Sequence, residues 1–236
     1  MKFAVISAGE GSRLAQEGSL LPKPLVRIGG RPMIGRLLDI MKDAGAGSIA
    51  VIVNPANTLT LDYLNDVRQK YNLDIVAKST PGPMHSLYGL TPFLRGEKFC
   101  VTTVDTVFRE SEFHDYLDAF ASSDRDGMMG VTDYVDDEKP LYVGTDAEMN
   151  ITGFHDEPSG CRFVSAGIYG LDGRALEVLE RCVSSGRTRM RDFQRQLLAD
   201  GVRLKGYRFG KVIDVDHVGD IAKAGEISGE CENNNR

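Results

Sequence analysis

Arg13 and Lys23 stand in the stretch AGEGSRLAQEGSLLPKPLVRIGGRPMI, Ala8 to Ile34, among residues that shape a backbone rather than fill a core. Gly9 and Gly11 admit positive φ and let backbone N–H groups approach an anion with no Cβ between them. Arg13 offers a planar fork that matches phosphate oxygens, and Lys23 a compact point charge. Pro22 and Pro24 fix φ on both sides of Lys23, which lowers the entropy cost of holding its ammonium in place. Residue types in this pattern suit a polyphosphate. The plain alternative is a surface turn with two solvated cations, and a glycine pair alone does not exclude it.

Two other phosphate loops are excluded. A dinucleotide fingerprint needs a third glycine where this chain has Leu14, and no Gly-Lys-Ser/Thr triplet ends the loop as in a P-loop. An NAD-dependent oxidoreductase is therefore the weakest reading.

The loop needs a scaffold, and the flanking sequence supplies one. Lys2–Ala8 is a short apolar run ending in glycine, a buried strand feeding the loop. After it, Met33, Ile34, Leu37, Leu38 and Met41 recur at helical spacing, with Pro32 suited to the first turn and Gly45 and Gly47 to the stop. SIAVIVN, LDIVAK and EKFCVTTVD read as further strands, with TLDYLNDVRQKY and MHSLYGLTPFL as the helices between them. Such alternation predicts right-handed crossovers and a parallel sheet covered on both faces. From Gly127 the texture changes to GMMGVTDYV, PLYVGTDAEMNITGF (whose TDAEMN could close a hairpin) and CRFVSAGIYGL. Helices are expected near Ala175–Val183 and Arg191–Ala199, then VRLKGYRF, KVIDVD and a last helix HVGDIAKAGEI. The expectation is one α/β domain over residues 1–228, Rossmann-like with a mixed, mostly parallel central sheet flanked by helices, and a frayed tail over 229–236.

The 236 residues carry a net charge of −6, which argues against nucleic acid as a partner; a small basic cluster in an acidic chain reads as a site for a compact anion. Cys100, Cys161, Cys182 and Cys231 lie far apart and form neither ligand spacing nor a disulfide framework. No segment reaches the roughly 18 apolar residues of a membrane span. The expectation is a reduced, cytoplasmic, soluble protein. The four histidines, His85, His114, His155 and His217, show no ligand spacing, and Asp124, Asp126, Asp133, Asp136 and Asp137 read as loop or solvated-face charges.

The string AGEGSRL…LPKPLVRIGGRPMI resembles the signature of the sugar-phosphate nucleotidyltransferases, which make nucleotide-sugars from a nucleoside triphosphate and a phosphorylated acceptor. Its A-G-x-G-[ST]-R-[LM], P-K-P-[LM] and G-[KR]-P-[ML]-[IL] pieces all occur here in order. PGPMHSLYGL, TVD, SAGIYGL and KVIDVDHVGDIAKA extend the resemblance over nearly the whole chain. It implies in-line attack by an acceptor phosphate oxygen on the α-phosphorus, with pyrophosphate leaving. Arg13 would steady the β- and γ-phosphates, and Lys23 the α-phosphate or the acceptor. Ala8, Gly9, Gly11 and Ser12 would hold the triphosphate, with Gly82 on the nucleobase side. Mg²⁺ is the implied cofactor, since it binds through one or two carboxylates and phosphate oxygens; Asp105 and Asp214 match the metal positions. Asp216 shares a strand face with Asp214 and reads either as a further ligand or as the cap of the helix starting at His217.

Three places depart from the resemblance. Val104 precedes the first metal aspartate where many relatives have glycine. Asp156 and Glu157 stand where sugar-1-phosphate members carry E-K, and DVDHVGDI looks more like the endings of small cytidylyltransferases that act on phosphocholine-like or phosphonate acceptors. A cytidylyltransferase for a non-sugar acceptor and a non-catalytic nucleotide-binding protein are thus the alternatives. Base choice and oligomeric state are left open by the sequence.

Overall fold

The structure, a computed structural model, describes residues 1–9, 11–136 and 138–229. Asp137, Cys231 and, apart from Gly229, the tail expected to fray lie outside these residues.

The apolar run after Met1 forms β1 (Lys2–Ser7), whose Phe3 to Ser7 are all buried. The loop carries a short helix, α1 (Ser12–Gln16), and a single 3₁₀ turn over Lys23–Leu25. A small hairpin, β2 (Arg27–Ile28) and β3 (Arg31–Pro32), then leads into α2 (Met33–Asp43), which the Met33–Met41 pattern predicts. β4 (Ile49–Val53), α3 (Thr58–Tyr71), β5 (Leu73–Ala77), α4 (Pro83–Leu94) and β6 (Phe99–Thr103) continue the strand–helix alternation. Fully buried on both faces, β4 reads IAVIV with no polar residue, as a central parallel strand must.

β7 (Thr106–Val107) and α5 (Glu110–Ser122) follow, and α5 is an element that the sequence reading lacked. The second half contributes β8 (Gly127–Thr132), the hairpin β9 (Tyr142–Thr145) and β10 (Ile151–His155), and β11 (Phe163–Leu171). The hairpin closes as expected: the Asp146 carboxylate accepts from the backbone N–H groups of Glu148 and Asn150. α6 (Gly173–Ser184), α7 (Met190–Ala199), β12 (Leu204–Arg208), β13 (Ile213–Asp214) and α8 (Val218–Gly229) complete the chain. Asp172 caps α6 by accepting from Arg174 N–H at 3.0 Å, a contact worth about 1 kcal/mol.

Among the described residues, nine strands form one mixed sheet. Its path runs β10-β9-β11-β6-β1-β4-β5, with β8 against β11 and β12 against β8. β6, β1, β4 and β5 are mutually parallel, and β11 turns antiparallel against β6. Apolar side chains pack on both faces of the sheet. A third, smaller cluster joins Leu14, Val26, Ile28, Met33, Ile213 and Val215 beneath the loop. Leu14 is only 1% exposed, so the residue that breaks the dinucleotide fingerprint is the plug that ties the loop to the body. Full burial of such a side chain contributes about 2 kcal/mol. Among the described residues no helix is long and apolar enough to cross a membrane.

Candidate active site

β1, β4 and β6 are parallel, so the residues that follow them emerge together at the carboxyl edge of the sheet, where α/β folds bind ligands. Gly9 and Gly11 follow β1, Asn54 follows β4 and Asp105 follows β6.

Gly11 sits at φ +62, and a Cβ built on it would lie 2.7 Å from Cβ of Lys23. Glycine is therefore needed there both for the left-handed backbone and for the close approach of the lysine. Gly9 differs from the expectation: it is not among the positive-φ glycines, and a Cβ there meets nothing within 4 Å. It leaves open space at the cavity it lines. Ala8 is buried and Ser12 exposed, while Gly82 has an extended backbone at the start of α4. Gly9, Gly11, Ser12, Arg13, Lys23 and Asp105 line one cavity of about 330 Å³. Gly11→Ala should lower unfolding stability by about 1–2 kcal/mol in a denaturant titration, whereas Gly9→Ala should leave stability unchanged and weaken nucleotide binding. Equal stability of the two variants would show that the Gly11–Lys23 approach is not tight.

Lys23 is the centre of the charge arrangement. Its side chain is 11% exposed, and Nζ lies 2.6 Å from Asp105 Oδ2 and 2.5 Å from Asp216 Oδ1. Arg13 Nη1 donates to the other oxygen of Asp216 at 2.8 Å. Burial alone would lower the Lys23 pKa, but the two carboxylates outweigh it and hold the ammonium above its usual range. Burial likewise works to raise Asp105, and the Lys23 charge with hydrogen bonds from Lys23 and Thr103 reverses it, so the carboxyl is held below the usual range. Lys23 and Asp105 are thus both ionised across the neutral range.

The second carboxylate is positioned by a strand pair. β13 lies antiparallel to β7, with Asp214 opposite Thr106, and Val215 N–H donates to the Asp105 carbonyl at 3.0 Å. Thr106 Oγ1 donates to Asp214 Oδ1 at 3.0 Å and meets Thr103 Oγ1 at 2.7 Å, so two hydroxyls bridge the neighbourhoods of the two aspartates. Val215 is fully buried between the more exposed Asp214 and Asp216, so an in–out alternation continues past the end of β13 at Asp214. Asp105 and Asp214 together line a cavity of about 210 Å³ that also takes in Lys139, Ser165, Gly167 and Arg191.

Asp216 does not cap the last helix. The N–H groups at the start of α8 go elsewhere: Asp216 and His217 donate to Asp220 Oδ2, and Val218 donates to Glu17 Oε2 at 2.7 Å. The Asp216 carboxylate is occupied by two cations that lie about two hundred residues away in the chain, which outcompete a local cap. His217 has the ordinary role expected of it, an exposed hydrogen bond to Glu17 that raises its pKa. Among the described residues, no group of three or more His, Cys, Asp or Glu side chains could by itself hold a metal ion. Asp105, Asp214 and Asp216 therefore do not form a three-carboxylate cage. A site with two hard carboxylate oxygens facing one cavity suits a cation that takes its other ligands from phosphate and water.

Arg191, Lys139 and Asn54 are residues that the sequence reading did not single out. Arg191, from α7, pairs with Asp156 through one guanidinium nitrogen and donates to the Lys139 carbonyl at 3.2 Å through another. Arg195 pairs with the same Asp156 at 2.8 Å. For Arg191 the signal is the basic run GRTRMR, which has no motif to attach it to a phosphate; Lys139 and Asn54 carry no signal of their own.

A parallel-centred mixed sheet with a glycine loop, a clamped lysine and two carboxylates at its carboxyl edge defines a nucleotide-handling α/β protein. Residues 3–199 match the MobA-like NTP transferase domain, and the chain belongs to that family. It is 26% identical over 254 residues to the bifunctional protein GlmU of Methanococcus maripaludis, an alignment covering 99% of this chain and 58% of that protein. The chain thus spans a little over half the length of that curated relative. Among solved structures it resembles a putative glucose-1-phosphate thymidylyltransferase from Bacillus anthracis, with a TM-score of 0.82, 19% identity and coverage of 97% of this chain and 95% of that one. It also resembles the inositol-1-phosphate CTP transferase from T. maritima, with a TM-score of 0.78, 19% identity and coverage of 96% and 97%. These likenesses carry the single-domain α/β fold that the sequence predicts.

Proposed function

We propose that this protein transfers a nucleoside monophosphate from a nucleoside triphosphate to a phosphorylated acceptor, a sugar phosphate or a similar compound, and releases pyrophosphate. The observation that carries the reading is Asp105 with Lys23 at the junction of two cavities. Asp105 lines both the cavity of the glycine loop and the cavity that holds Lys139 and Arg191. A triphosphate on the loop and an acceptor phosphate near Arg191 then meet beside Lys23 Nζ. An acceptor oxygen forms the new bond to the α-phosphorus as the bond to the β-phosphate oxygen breaks, and the electron pair leaves with pyrophosphate. Lys23 holds the α-phosphate in line, Arg13 steadies the leaving group, and the Gly9–Gly11 backbone approaches the triphosphate without steric hindrance. Catalysis of this kind is positioning and charge rather than covalent chemistry.

Charge favours a divalent cation as part of the reading. Arg13 and Lys23 together carry +2, while Asp105, Asp214 and Asp216 carry −3, so this cluster is net −1, with Lys139 and Arg191 standing on the acceptor side of it. Mg²⁺ held by Asp105, Asp214 and phosphate oxygens would supply the missing positive charge.

Glu157 in place of the lysine of sugar-1-phosphate members favours a second reading, a cytidylyltransferase for a non-sugar acceptor. In either case Arg191 brings the cation to the acceptor side from α7. The reading also places the protein in the cytosol, consistent with free thiols at Cys100 and Cys182. The test is a grid of four nucleoside triphosphates against phosphorylated sugars and amino-alcohol phosphates, with Mg²⁺ or EDTA, scored by pyrophosphate release. At least one pair should react, and only with Mg²⁺. Nucleotide binding with no release across the grid would leave a non-catalytic nucleotide-binding protein.

A further inference from the structure

Arg36, in the first turn of α2, is the one charged residue that is buried among the described residues, with only 1% of its surface exposed. Its Nη2 donates to the Phe108 carbonyl, and its guanidinium carbon lies 5.2 Å from the centre of the Phe108 ring. Nε comes within 3.7 Å of Glu110 Oε1, the oxygen that Arg31 reaches at 2.9 Å. A charge is kept in an apolar interior only with partners that replace water. A planar fork serves a carbonyl and a carboxylate at once, in one fixed geometry.

Those partners stand directly behind the site. Phe108 follows β7, and Asp105 precedes it by one residue. β7 also carries the Thr106 hydroxyl that holds Asp214, and it forms the ladder to β13. β7 and β13 belong to a separate two-stranded sheet, so the ladder of the nine-stranded sheet does not fix them. On the other side, α2 is tied to Lys23. Val26 N–H donates to the Lys23 carbonyl at 3.2 Å, and Met33 N–H, at the start of α2, donates to the Val26 carbonyl at 2.9 Å. A continuous line of contacts therefore runs from Lys23 through Val26, α2, Arg36 and Phe108 to β7 and Asp105. The 2.6 Å contact between Lys23 Nζ and Asp105 closes it into a ring.

We propose that Arg36 is a positioning residue, a strut from α2 that sets the spacing between Lys23 and the aspartates on either end of the β7–β13 pair. It acts through the Phe108 carbonyl and meets none of the reacting atoms. The inference rests on the nucleotidyltransferase reading and adds to it a residue behind the site. Packing alone does not call for an arginine here, because a methionine adapts to a similar space with no charge to desolvate. A methionine cannot hold the Phe108 carbonyl in place.

The test compares Arg36→Met, Arg36→Lys and Glu110→Gln with the wild type. The Glu110 side chain is 29% exposed at the start of α5, so its variant keeps the fold even where Arg36→Met does not. Pyrophosphate release is measured alongside the binding of CTP, UTP, GTP and ATP by calorimetry, first in EDTA and then as Mg²⁺ is raised. In Arg36→Met, kcat should fall about 10–100-fold, the scale of misplacing a reacting group by about 1 Å. The Mg²⁺ concentration needed to tighten nucleotide binding should rise several-fold. Binding in EDTA should stay nearly unchanged, because the glycine loop and Arg13 are untouched. Arg36→Lys and Glu110→Gln should show smaller losses in the same direction. Val178→Ala, a buried truncation on α6, is the reference for a purely structural loss. It should lower the melting temperature and leave kcat and the Mg²⁺ dependence alone. Unchanged kcat and Mg²⁺ dependence in every variant that folds overturns the role of Arg36 and leaves the transferase reading intact. So does a Val178→Ala that shifts both as far as the Arg36 variants do. No pyrophosphate release by the wild type overturns the transferase reading, and the Mg²⁺ dependence of binding then decides on Arg36 by itself. Failure of all four nucleotides to bind overturns both.

Discussion

Lys23→Ala should lower kcat by about 10²–10³-fold, the scale of losing one preorganised charge aimed at a transition state, and should also lower the melting temperature. A lysine on a solvated loop would leave stability alone. Lys23 is different because it sits between Asp105 and Asp216, at 2.6 and 2.5 Å, with its side chain 11% exposed. Without it two carboxylates face each other across the position of the ammonium. Breaking a fully buried pair costs about 3–5 kcal/mol. Here the carboxylates are 25% and 38% exposed, so solvent screens the loss toward about 1–2 kcal/mol. For a chain of this length that is a shift of about 2–8 °C. The double variant Lys23→Met with Asp105→Asn removes the cation and one carboxylate together. It should recover most of the lost stability and none of the turnover. Calorimetric melting with pyrophosphate release separates the two effects. Normal turnover with a lowered melting temperature would reduce Lys23 to a structural clamp.

This clamp marks the limit of what the sequence makes legible. The loop could be read because its chemistry is local: Gly9, Gly11, Pro22 and Pro24 constrain φ within a few residues of the cations they present. The strands β1, β4 and β6 could be read because a doubly covered parallel strand must be apolar throughout. Asp216 could not be assigned, since its partners Arg13 and Lys23 lie 203 and 193 residues away in the chain. From sequence alone, a carboxylate just before a helix reads equally as a metal ligand or as a cap. The cap is instead shared by Asp220 and Glu17, and Glu17 also comes from the far end of the chain. Leu14 looks like a missing glycine until the third cluster shows it plugging the base of the loop. α5 is another matter, because Phe113, Tyr116, Leu117 and Phe120 do recur at helical spacing. The spacing alone is enough to mark that helix. Arg191 and Asn54 carry no motif, and only the tertiary fold brings them to the cavities beside Asp105 and Gly9.

Asp214→Asn should lower kcat by about 10²-fold or more with no change in melting temperature, and Asp216→Asn should do the reverse in proportion. Asparagine at 214 still accepts the Thr106 hydroxyl through Oδ1, and the ladder opposite Thr106 is made by backbone groups. The Thr106 hydroxyl contact and the backbone ladder that hold β13 against β7 are kept. What changes is charge: the Arg13, Lys23, Asp105, Asp214 and Asp216 cluster moves from net −1 to neutral, and Asp105 is left as the one carboxylate of the pair facing the cavity. A cation ligated there would bind more weakly, so the Mg²⁺ concentration for half-maximal activity should rise several-fold, as should the Mg²⁺ requirement for nucleotide binding measured without turnover. Asp216→Asn removes instead the charge that holds Arg13 and Lys23 together. It should lower the melting temperature, loosen the lysine and reduce kcat by a smaller factor, with an unchanged Mg²⁺ requirement. Metal titrations of the two variants side by side discriminate a ligand from a clamp. Full activity of Asp214→Asn at low Mg²⁺ would leave Asp214 as a strand-end residue steadied by Thr106. The cation would then have to be held from Asp105 alone.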